Sequence, residues 1–259
     1  MLHRKTALIT GSTSGIGLGI ARQLAKQNAN IILSGFGSKA DIAKAIEQVN
    51  GQGSGKVIYS DANMLSPAEI AQMINLAEAE FGMVDILVNN AGIQHVVPIE
   101  QFEPQKWDDI IAINLSSAFH TIRLCLPKMR QNGWGRIINV ASVHGLVASV
   151  NKSAYVAAKH GLVGLTKTVA LETAEANITA NAICPGFTLT PLIQQQIDDK
   201  AKILGSQEAA IEQLLGEKQP SKSFVQVEQL GDLAVFLCSV AASQMTGVSL
   251  PLDGGWTAQ

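Results

Sequence analysis

The chain has 259 residues, of which 47% are hydrophobic and 15% charged, with a formal net charge of −2. This length and apolar content predict one large α/β domain over residues 1–259. The near-neutral charge and the sparse aromatic residues argue against binding to nucleic acid or to an anionic membrane surface. No uninterrupted apolar run approaches the ~18 residues of a membrane-spanning helix, so we expect a soluble protein.

The three cysteines, Cys125, Cys184 and Cys238, are odd in number and far apart in the sequence. None has the spacing of a metal-ligand pair, so we expect reduced, buried thiols, a cytoplasmic location and no metal site. The N-terminus has a basic start and a short apolar run that ends in a glycine-rich turn. This pattern predicts a strand rather than a signal peptide.

Short apolar runs alternate with amphipathic stretches, which is typical of parallel strands and the helices that connect them. The predicted strands span residues 6–10, 30–34, 56–60, 85–88, 136–140, 178–183 and 248–252. The predicted helices span residues 15–27, 39–49, 67–81, 107–130, 153–174 and 230–239. A polar, helix-forming insertion at 190–223, which we call the lid segment, follows a predicted strand break at Cys184-Pro185-Gly186. The pattern predicts one doubly wound domain with helices on both faces of a parallel sheet.

The loop after the first strand reads Gly11-Ser12-Thr13-Ser14-Gly15-Ile16-Gly17 and leads into the first helix. Glycines permit a tight turn and close backbone approach to a pyrophosphate, and the helix N-terminus supplies free N–H groups. Glycine-rich turns also close ordinary strand–helix units. The position of this loop after the first strand favours dinucleotide binding.

The second strand leads into Gly35-Phe36-Gly37-Ser38-Lys39, with neither an acid nor a base at its tip. An acid there would hold the ribose hydroxyls of NAD, and a base would hold the 2′-phosphate of NADP. We therefore expect NAD, with Phe36 packed against the adenosine. Lys39 argues against this choice unless it is a solvated residue at a helix start.

Polar residues also follow the next two strands. Asp61 or Asn63, after the third strand, is expected to bond the adenine amino group. Asn89-Asn90-Ala91-Gly92 follows the fourth strand, where small residues and two amides suit the crevice in which a doubly wound sheet binds its ligand. Asn114, inside the predicted helix 107–130, either bonds its local backbone or holds a water against Lys159.

Tyr155 and Lys159 are four residues apart in a predicted helix, so their side chains share one face. The ammonium favours the phenolate, which prepares Tyr155 to exchange a proton with an alcohol or ketone near neutral pH. Ser142, just past the fifth strand, is placed to donate to the same substrate oxygen. The alternative is a buried core tyrosine beside a lysine whose head reaches water.

Together these motifs resemble the short-chain dehydrogenase/reductase family along the whole chain. The matching residues are Thr10-Gly11-x-x-x-Gly15-Ile16-Gly17, Asn89-Asn90-Ala91-Gly92, Asn114, Ser142, Tyr155-x-x-x-Lys159, Pro185-Gly186 and Asp253-Gly254-Gly255. The resemblance implies a Rossmann-type sheet of about seven strands and a homotetramer. We expect the lid segment to act as a helical substrate lid, since excluding water suits hydride transfer.

The resemblance also implies a role for each matching side chain. Tyr155 is the general acid/base, and Lys159 lowers the Tyr155 pKa and binds the nicotinamide ribose. Ser142 polarises the substrate oxygen, Asn114 positions a water that relays protons, and the nicotinamide carries the hydride. The expected cofactor-binding residues are Gly11, Thr13, Gly15, Ile16, Gly17, Phe36, Asn63, Asn90, Gly92, Tyr155, Lys159, Pro185 and Thr190.

Within the family, the residues around the site resemble members that act on D-3-hydroxybutyrate. One lysine, one histidine and two glutamines hold the substrate carboxylate in those members. A small hydroxy acid or keto acid needs such a cation and several donors in an otherwise apolar cavity. Lys152 is alternatively a solvated loop lysine. The expected substrate-binding residues are Gln94, Ser142, His144, Lys152, Tyr155, Gln196 and Trp256, with Phe187 beside Trp256.

Three functions are consistent with the sequence. The first is NAD-dependent, reversible oxidation of D-3-hydroxybutyrate to acetoacetate. The second is another reductase of the same family, acting on a sugar, a polyol or an acyl-thioester ketone. The third is a non-catalytic dinucleotide sensor, which the presence of the whole set Asn114, Ser142, Tyr155 and Lys159 argues against.

Overall fold

The computed structural model describes residues 2–258. Its strands are β1 (Thr6–Ile9), β2 (Asn30–Ser34), β3 (Val57–Ser60), β4 (Ile86–Asn89), β5 (Gly135–Val140), β6 (Ile178–Pro185) and β7 (Ser249–Leu252). They form one sheet in the order β3-β2-β1-β4-β5-β6-β7, and every neighbouring pair is parallel. The strand order reverses direction between β1 and β4, which confirms the predicted doubly wound sheet.

Helices cover both faces of this sheet. They are α1 (Gly15–Lys26), α2 (Lys39–Asn50), α3 (Pro67–Phe81), α4 (Pro104–Ile111), α5 (Ser117–Asn132), α6 (Ser153–Thr173), α7 (Pro191–Leu204), α8 (Gln207–Lys218) and α9 (Val227–Cys238). Ala7 and Ile9 of β1 pack with α1, α2 and α9, whereas Leu8 packs with α3, α5 and α6. Burial on both faces explains why the strand sequences are continuously apolar.

β6 is longer than predicted. It continues through Cys184 and Pro185, which pair with Pro251 and Leu252 of β7, so the predicted break at these residues is wrong. Pro185 occupies the last strand position, where its missing N–H disturbs the ladder least. The next N–H, that of Gly186, donates to Leu252 O at 3.0 Å. The extension carries Pro185 to the edge of the sheet where the cavities lie.

The predicted helix at 107–130 is two helices, α4 and α5, joined by a π turn at Ala112–Ser116. Within the turn, Asn114 Nδ2 donates to Ile93 O and Asn114 Oδ1 accepts from Ile93 N–H, both at 2.9 Å. The alternative that Asn114 bonds its own helix is therefore wrong. Its amide pairs with the loop after β4 and holds that loop against the π turn.

The stretch Pro104–Asn132 is the one helical segment of residues 2–258 that is long and apolar enough to cross a membrane by length and composition. Its most apolar window has a mean hydropathy of 1.3, and 39% of that window is buried inside the fold. Core helices of soluble proteins pass the same test. Here α5 contributes Ile122, Cys125 and Met129 to the layer that contains α3.

Four buried side chains, which we call the polar chain, form a row of hydrogen bonds that runs from α5 over β4 and β5 to α6. Thr121 Oγ1 donates to Asn89 Oδ1 at 2.6 Å, and Asn89 Nδ2 donates to Asn139 Oδ1 at 2.9 Å. Asn139 Nδ2 then donates to Thr166 Oγ1 at 2.8 Å. Each of the four residues is at most 5% exposed. The polar chain connects the helix that follows the π turn to the helix that carries the predicted acid/base residue.

The lid segment contains α7 and α8, so its predicted helical character is confirmed. α7 begins with Thr190 at its N-cap, whose Oγ1 accepts from Ile193 N–H, and with Pro191 in its first turn. α9 begins three residues before the predicted 230, and Gln229 Oε1 accepts from Gln226 N–H at 2.9 Å at its N-terminus.

Candidate active site

Two adjoining cavities lie at the carboxyl ends of the strands, where a doubly wound sheet binds its ligands. The larger is a crevice of about 360 Å³, and the smaller is a cavity of about 90 Å³. Five residues line both cavities, so the two share a wall. They are Ile16, Ala141, Tyr155, Thr190 and Leu192.

The glycine-rich loop forms one end of the crevice. Gly11 has φ +62°, and a Cβ on it would lie 2.8 Å from Ala91 Cα, so only glycine fits there. Asn90 Nδ2 donates to Thr10 O at 2.9 Å and to Gly11 O at 2.8 Å, which fixes the loop against the end of β4. Gly17, predicted to bind cofactor, does not line the crevice. It packs beneath the loop, where a Cβ would clash with Gly11 O and Asn90.

The adenosine end of the crevice has the predicted lack of charge at the tip of β2. Phe36 is 67% exposed and lines the crevice, and its carbonyl accepts from Thr13 Oγ1 at 2.8 Å. Asn63 lines the crevice, whereas Asp61 lines a separate cavity beside Tyr59. Asn63, not Asp61, therefore faces the crevice, and a contact of Asn63 with adenine stays a prediction. Asn63 Oδ1 already accepts from Leu65 N–H at 3.0 Å, so one lone pair remains.

Tyr155 lies in the wall between the two cavities, and Lys159 lies one turn further along α6. The Lys159 ammonium donates to Val140 O at 2.8 Å and lies 5.6 Å from the centre of the Tyr155 ring. Lys159 is 3% exposed, and burial lowers its pKa to about 8. The lysine is therefore still mostly protonated at neutral pH.

The predicted lowering of the Tyr155 pKa by Lys159 is wrong for this geometry. Burial raises the pKa of the phenol, and a hydrogen bond with Ser142 partly offsets that rise. The ammonium is directed to the carbonyl of Val140 rather than to the phenol oxygen. In the protein alone, Ser142 is the neighbour that stabilises the phenolate.

Asn114 is buried, and its side-chain amide makes two hydrogen bonds with the backbone of Ile93. Gly92, the residue before Ile93, lines the crevice, so Asn114 positions the crevice wall. A water held by Asn114 remains a prediction. Pro185, predicted to contact cofactor, lines the smaller cavity rather than the crevice.

The smaller cavity brings together every predicted substrate residue. Lys152 supplies a cation whose pKa is lowered by burial. Gln94 Nε2 is buried without a hydrogen-bond partner in the described residues, so it is a donor left for a ligand. Trp256 and Phe187 pack with ring centroids 4.8 Å apart. The predicted residues that line the cavity are Gln94, Ser142, His144, Lys152, Tyr155, Phe187, Gln196 and Trp256.

His144 has both ring nitrogens next to serines. Nδ1 lies 3.3 Å from Ser142 Oγ, and Nε2 lies 2.8 Å from Ser149 Oγ. Burial, and then the positive charges of Lys152, Lys218 and His160, lower the His144 pKa to about 4. The imidazole is therefore neutral at pH 7, with one nitrogen donating and the other accepting.

The lowered pKa of His144 predicts a loss of stability in acid. As the pH falls from 6.5 towards 4, the unfolded chain takes up a proton that the folded protein excludes, so stability decreases over this window. The expected loss is about 3 kcal/mol in the free energy of unfolding. Urea denaturation of the wild type and of His144→Gln at pH 7 and pH 4 measures it. The variant is expected to lose less stability, while the exposed His3→Gln behaves as the wild type; equal losses in all three would contradict the assignment.

Sequence reasoning missed two kinds of site residue. Leu192 and Ile193 line the cavities from the first turn of α7. The Thr190-Pro191 pair marks a helix start and offered a signal for them. Ser149 holds the His144 ring from a loop, and no spacing in the sequence indicates this contact.

This fold and site define a class of enzyme. A doubly wound sheet with a glycine-rich loop, and a buried Tyr–Lys pair with a serine where that crevice meets a small cavity, are the parts of a dinucleotide-dependent oxidoreductase that acts on CH–OH groups.

The comparisons with known proteins agree. The short chain dehydrogenase model matches residues 5–201, and the chain belongs to that family. The chain is 62% identical over 260 residues, covering 100% of both sequences, to the D-beta-hydroxybutyrate dehydrogenase of Cupriavidus necator. It is 56% identical over 256 residues to the Rhizobium meliloti enzyme of the same name, covering 98% of this chain and 99% of the relative. The crystal structure of levodione reductase superposes with a TM-score of 0.91 at 31% identity, covering 100% of this chain and 99% of that one.

Proposed function

We propose that this protein is an NAD-dependent D-3-hydroxybutyrate dehydrogenase that interconverts D-3-hydroxybutyrate and acetoacetate. One observation carries the proposal: a single cavity of about 90 Å³ is lined by a half-buried lysine, a glutamine donor that has no partner among residues 2–258 and the phenol of Tyr155. A cation at one end and an acid/base group at the other suit a short hydroxy acid. The small volume of the cavity and the half-buried charge of Lys152 favour this acid over a sugar, a polyol or an acyl thioester. The names of the two relatives support the same substrate and its stereochemistry.

In this proposal each side chain has a separate task. Lys152 and Gln94 bind the carboxylate, with Gln196 on α7 above them. Tyr155 takes the hydroxyl proton, and the hydrogen bond from Ser142 stabilises the phenolate that precedes this transfer. The nicotinamide, when bound, accepts the hydride from the carbinol carbon. α7 and α8 exclude water, which suits hydride transfer.

NAD is proposed as the cofactor because nothing at the adenosine end pairs with a 2′-phosphate. Among the described residues that line the crevice, Lys159 is the only cation, and it lies at the nicotinamide end beside Tyr155. Lys39 is exposed at the start of α2, and Asp41 lies in the same turn. A 2′-phosphate would therefore lose its hydration without gaining a charged partner.

We also propose a cytoplasmic homotetramer. Two sets of exposed apolar side chains lie on different elements: Phe119 and Leu171 on α5 and α6, and Phe236 and Val240 at and after the end of α9. A tetramer with dihedral symmetry uses two different interfaces, which two such sets would supply. Light scattering during size-exclusion chromatography is expected to give four times the 27.4 kDa chain mass.

The test of the function is nicotinamide absorbance with NAD or NADP and each enantiomer of 3-hydroxybutyrate. We expect rapid reduction of NAD with the D-enantiomer, and little signal with NADP or with the L-enantiomer. Absence of turnover with both enantiomers would overturn the substrate. It would leave the family assignment intact and direct the search to larger alcohols and ketones.

Lys152→Met is expected to raise the KM for D-3-hydroxybutyrate by roughly 10- to 100-fold, because a charge-assisted bond to the carboxylate is lost. The Kd for NAD should change little, since Lys152 does not line the crevice. Lys106→Met, at an exposed position of α4, removes a positive charge elsewhere and is the matched control. Equal losses of affinity for the acid and for NAD would contradict the role given to Lys152.

A further inference from the structure

Gln219 follows α8 directly and has a buried side-chain amide that connects two parts of the chain. It is 1% exposed. Its Oε1 accepts from Phe187 N–H at 2.8 Å, and its Nε2 donates to Ser223 O. Both partners are backbone groups, one before the lid segment and one at its end. Gln219 therefore closes the base of the lid segment with its side chain.

The surroundings of this amide are fitted closely to it. A Cβ on Gly186 would lie 2.5 Å from Gln219 Oε1, and a Cβ on Gly254 would lie 2.8 Å from Gln219 Cγ. Ser221 N–H donates to Gly254 O at 2.9 Å, so the chain after Gln219 is tied to the segment after β7. The end of the lid segment thus contacts the ends of both β6 and β7.

Phe187 transmits the position of Gln219 to the substrate cavity. Its side chain is 7% exposed and forms a wall of that cavity with Trp256. Its N–H donates to Gln219, and its carbonyl accepts from Val225 N–H at 2.9 Å. Leu215, in the last turn of α8, packs in the same apolar cluster as Phe187 and Trp256. The cavity wall at Phe187 and the end of α8 are therefore attached to each other.

We propose that Gln219 is a positioning residue, whose side-chain amide holds the C-terminal end of the lid segment on Phe187 and so keeps α7, with Gln196, over the substrate cavity. The effect on hydroxy-acid kinetics rests on the proposed function. The attachment of the lid segment to Phe187 does not, and it can be measured without substrate.

The first test is hydrogen exchange on the whole protein without ligands. Gln219→Met keeps the length of the side chain and removes both bonds, so amide exchange in residues 187–190 and 219–225 should rise by about tenfold or more. Exchange in β1, β4 and β5 should not change. Gln219→Glu keeps an acceptor for Phe187 N–H but loses the donor to Ser223 O, and should give an intermediate rise. Gln213→Glu, at an exposed position of α8, adds the same charge and is the matched control.

The second test is steady-state kinetics of the same variants. Gln219→Met should raise the KM for D-3-hydroxybutyrate by about tenfold, because the lid segment closes over the substrate less often. Its kcat should stay within about threefold and its Kd for NAD should be unchanged, a split that a general loss of stability does not give. Gln219→Glu should have a KM between that of the wild type and that of Gln219→Met.

Two results would overturn the proposal. One is unchanged exchange at 187–190 in Gln219→Met, which would show that the amide does not hold this segment. The other is an equal rise across the whole sheet, which would make Gln219 a general contributor to stability. If hydroxybutyrate is not turned over at all, the exchange result still decides the attachment, and only the proposed function fails.

Discussion

Tyr155→Phe is expected to lower kcat for oxidation of D-3-hydroxybutyrate by roughly 10²- to 10⁴-fold, the contribution of a positioned general acid/base. The phenol is the titratable group that lies in the wall between the cofactor crevice and the substrate cavity, next to Ser142. Removing one oxygen leaves the ring and its packing in place. Stopped-flow reduction of NAD at saturating substrate measures the loss in the reacting step itself.

The chain contains two tyrosines, and the second provides the control. Tyr59 O–H donates to Gly35 O at 2.7 Å, away from the reacting end of the crevice. Tyr59→Phe should therefore keep kcat at saturating NAD within about twofold, as expected for a substitution outside the reaction. A Tyr155→Phe enzyme with wild-type kcat would remove Tyr155 from the chemistry. The dinucleotide sensor would be the surviving alternative if neither form turned over any alcohol.

Asn139→Leu is expected to lower the free energy of unfolding by about 3 kcal/mol, because Asn89 Nδ2 loses its acceptor in a place that water does not reach. Asn139 lies at the centre of the polar chain and is 0% exposed. Urea denaturation monitored by circular dichroism measures the change. Asn50→Leu, at the exposed end of α2, is the control and should change stability little.

The double variant Asn89→Leu, Asn139→Leu makes the experiment sharper. It removes donor and acceptor together. Thr166 keeps its bond to Leu162 O, and the single hydroxyl hydrogen of Thr121 can turn from Asn89 Oδ1 to Ala118 O. Its loss of stability should be clearly smaller than the sum of the two single losses. Strictly additive losses would show that the two amides do not act as a pair.

The fold was predictable because its strands are buried on both faces. Short runs such as that of β1 read as continuous apolar segments, and the long polar and amphipathic stretches between them leave room for helices. The end of β6 was not predictable, because a proline ends most strands. Only the pairing of Pro185 with Leu252 shows that this strand continues. The π turn was missed for a similar reason, since its one extra residue leaves the apolar pattern almost unchanged.

The candidate site, like the fold, has features that local sequence predicts and features that it does not. Residues defined by local spacing, such as Tyr155 and Lys159 one helical turn apart, were placed correctly. The direction of the Tyr155 pKa was not, because it depends on how deeply the folded chain buries the phenol, which local spacing does not give. The choice between Asp61 and Asn63 also needed the structure, since two residues apart on a turn can face different cavities.

Because of the π turn, the number of residues between α4 and α5 matters as much as the identity of their side chains. A π turn contains one residue more than an α-helical turn, so deleting one residue between Ala112 and Ser116 would restore regular α-helical winding and remove the widened turn that presents Asn114 to Ile93. Asn114 would then leave Ile93, and the crevice wall would lose its support although no side chain named in the mechanism had changed. Insertion or deletion of a residue in the π turn should therefore damage the crevice. Substitution of one apolar side chain by another, with the number of residues unchanged, should be tolerated.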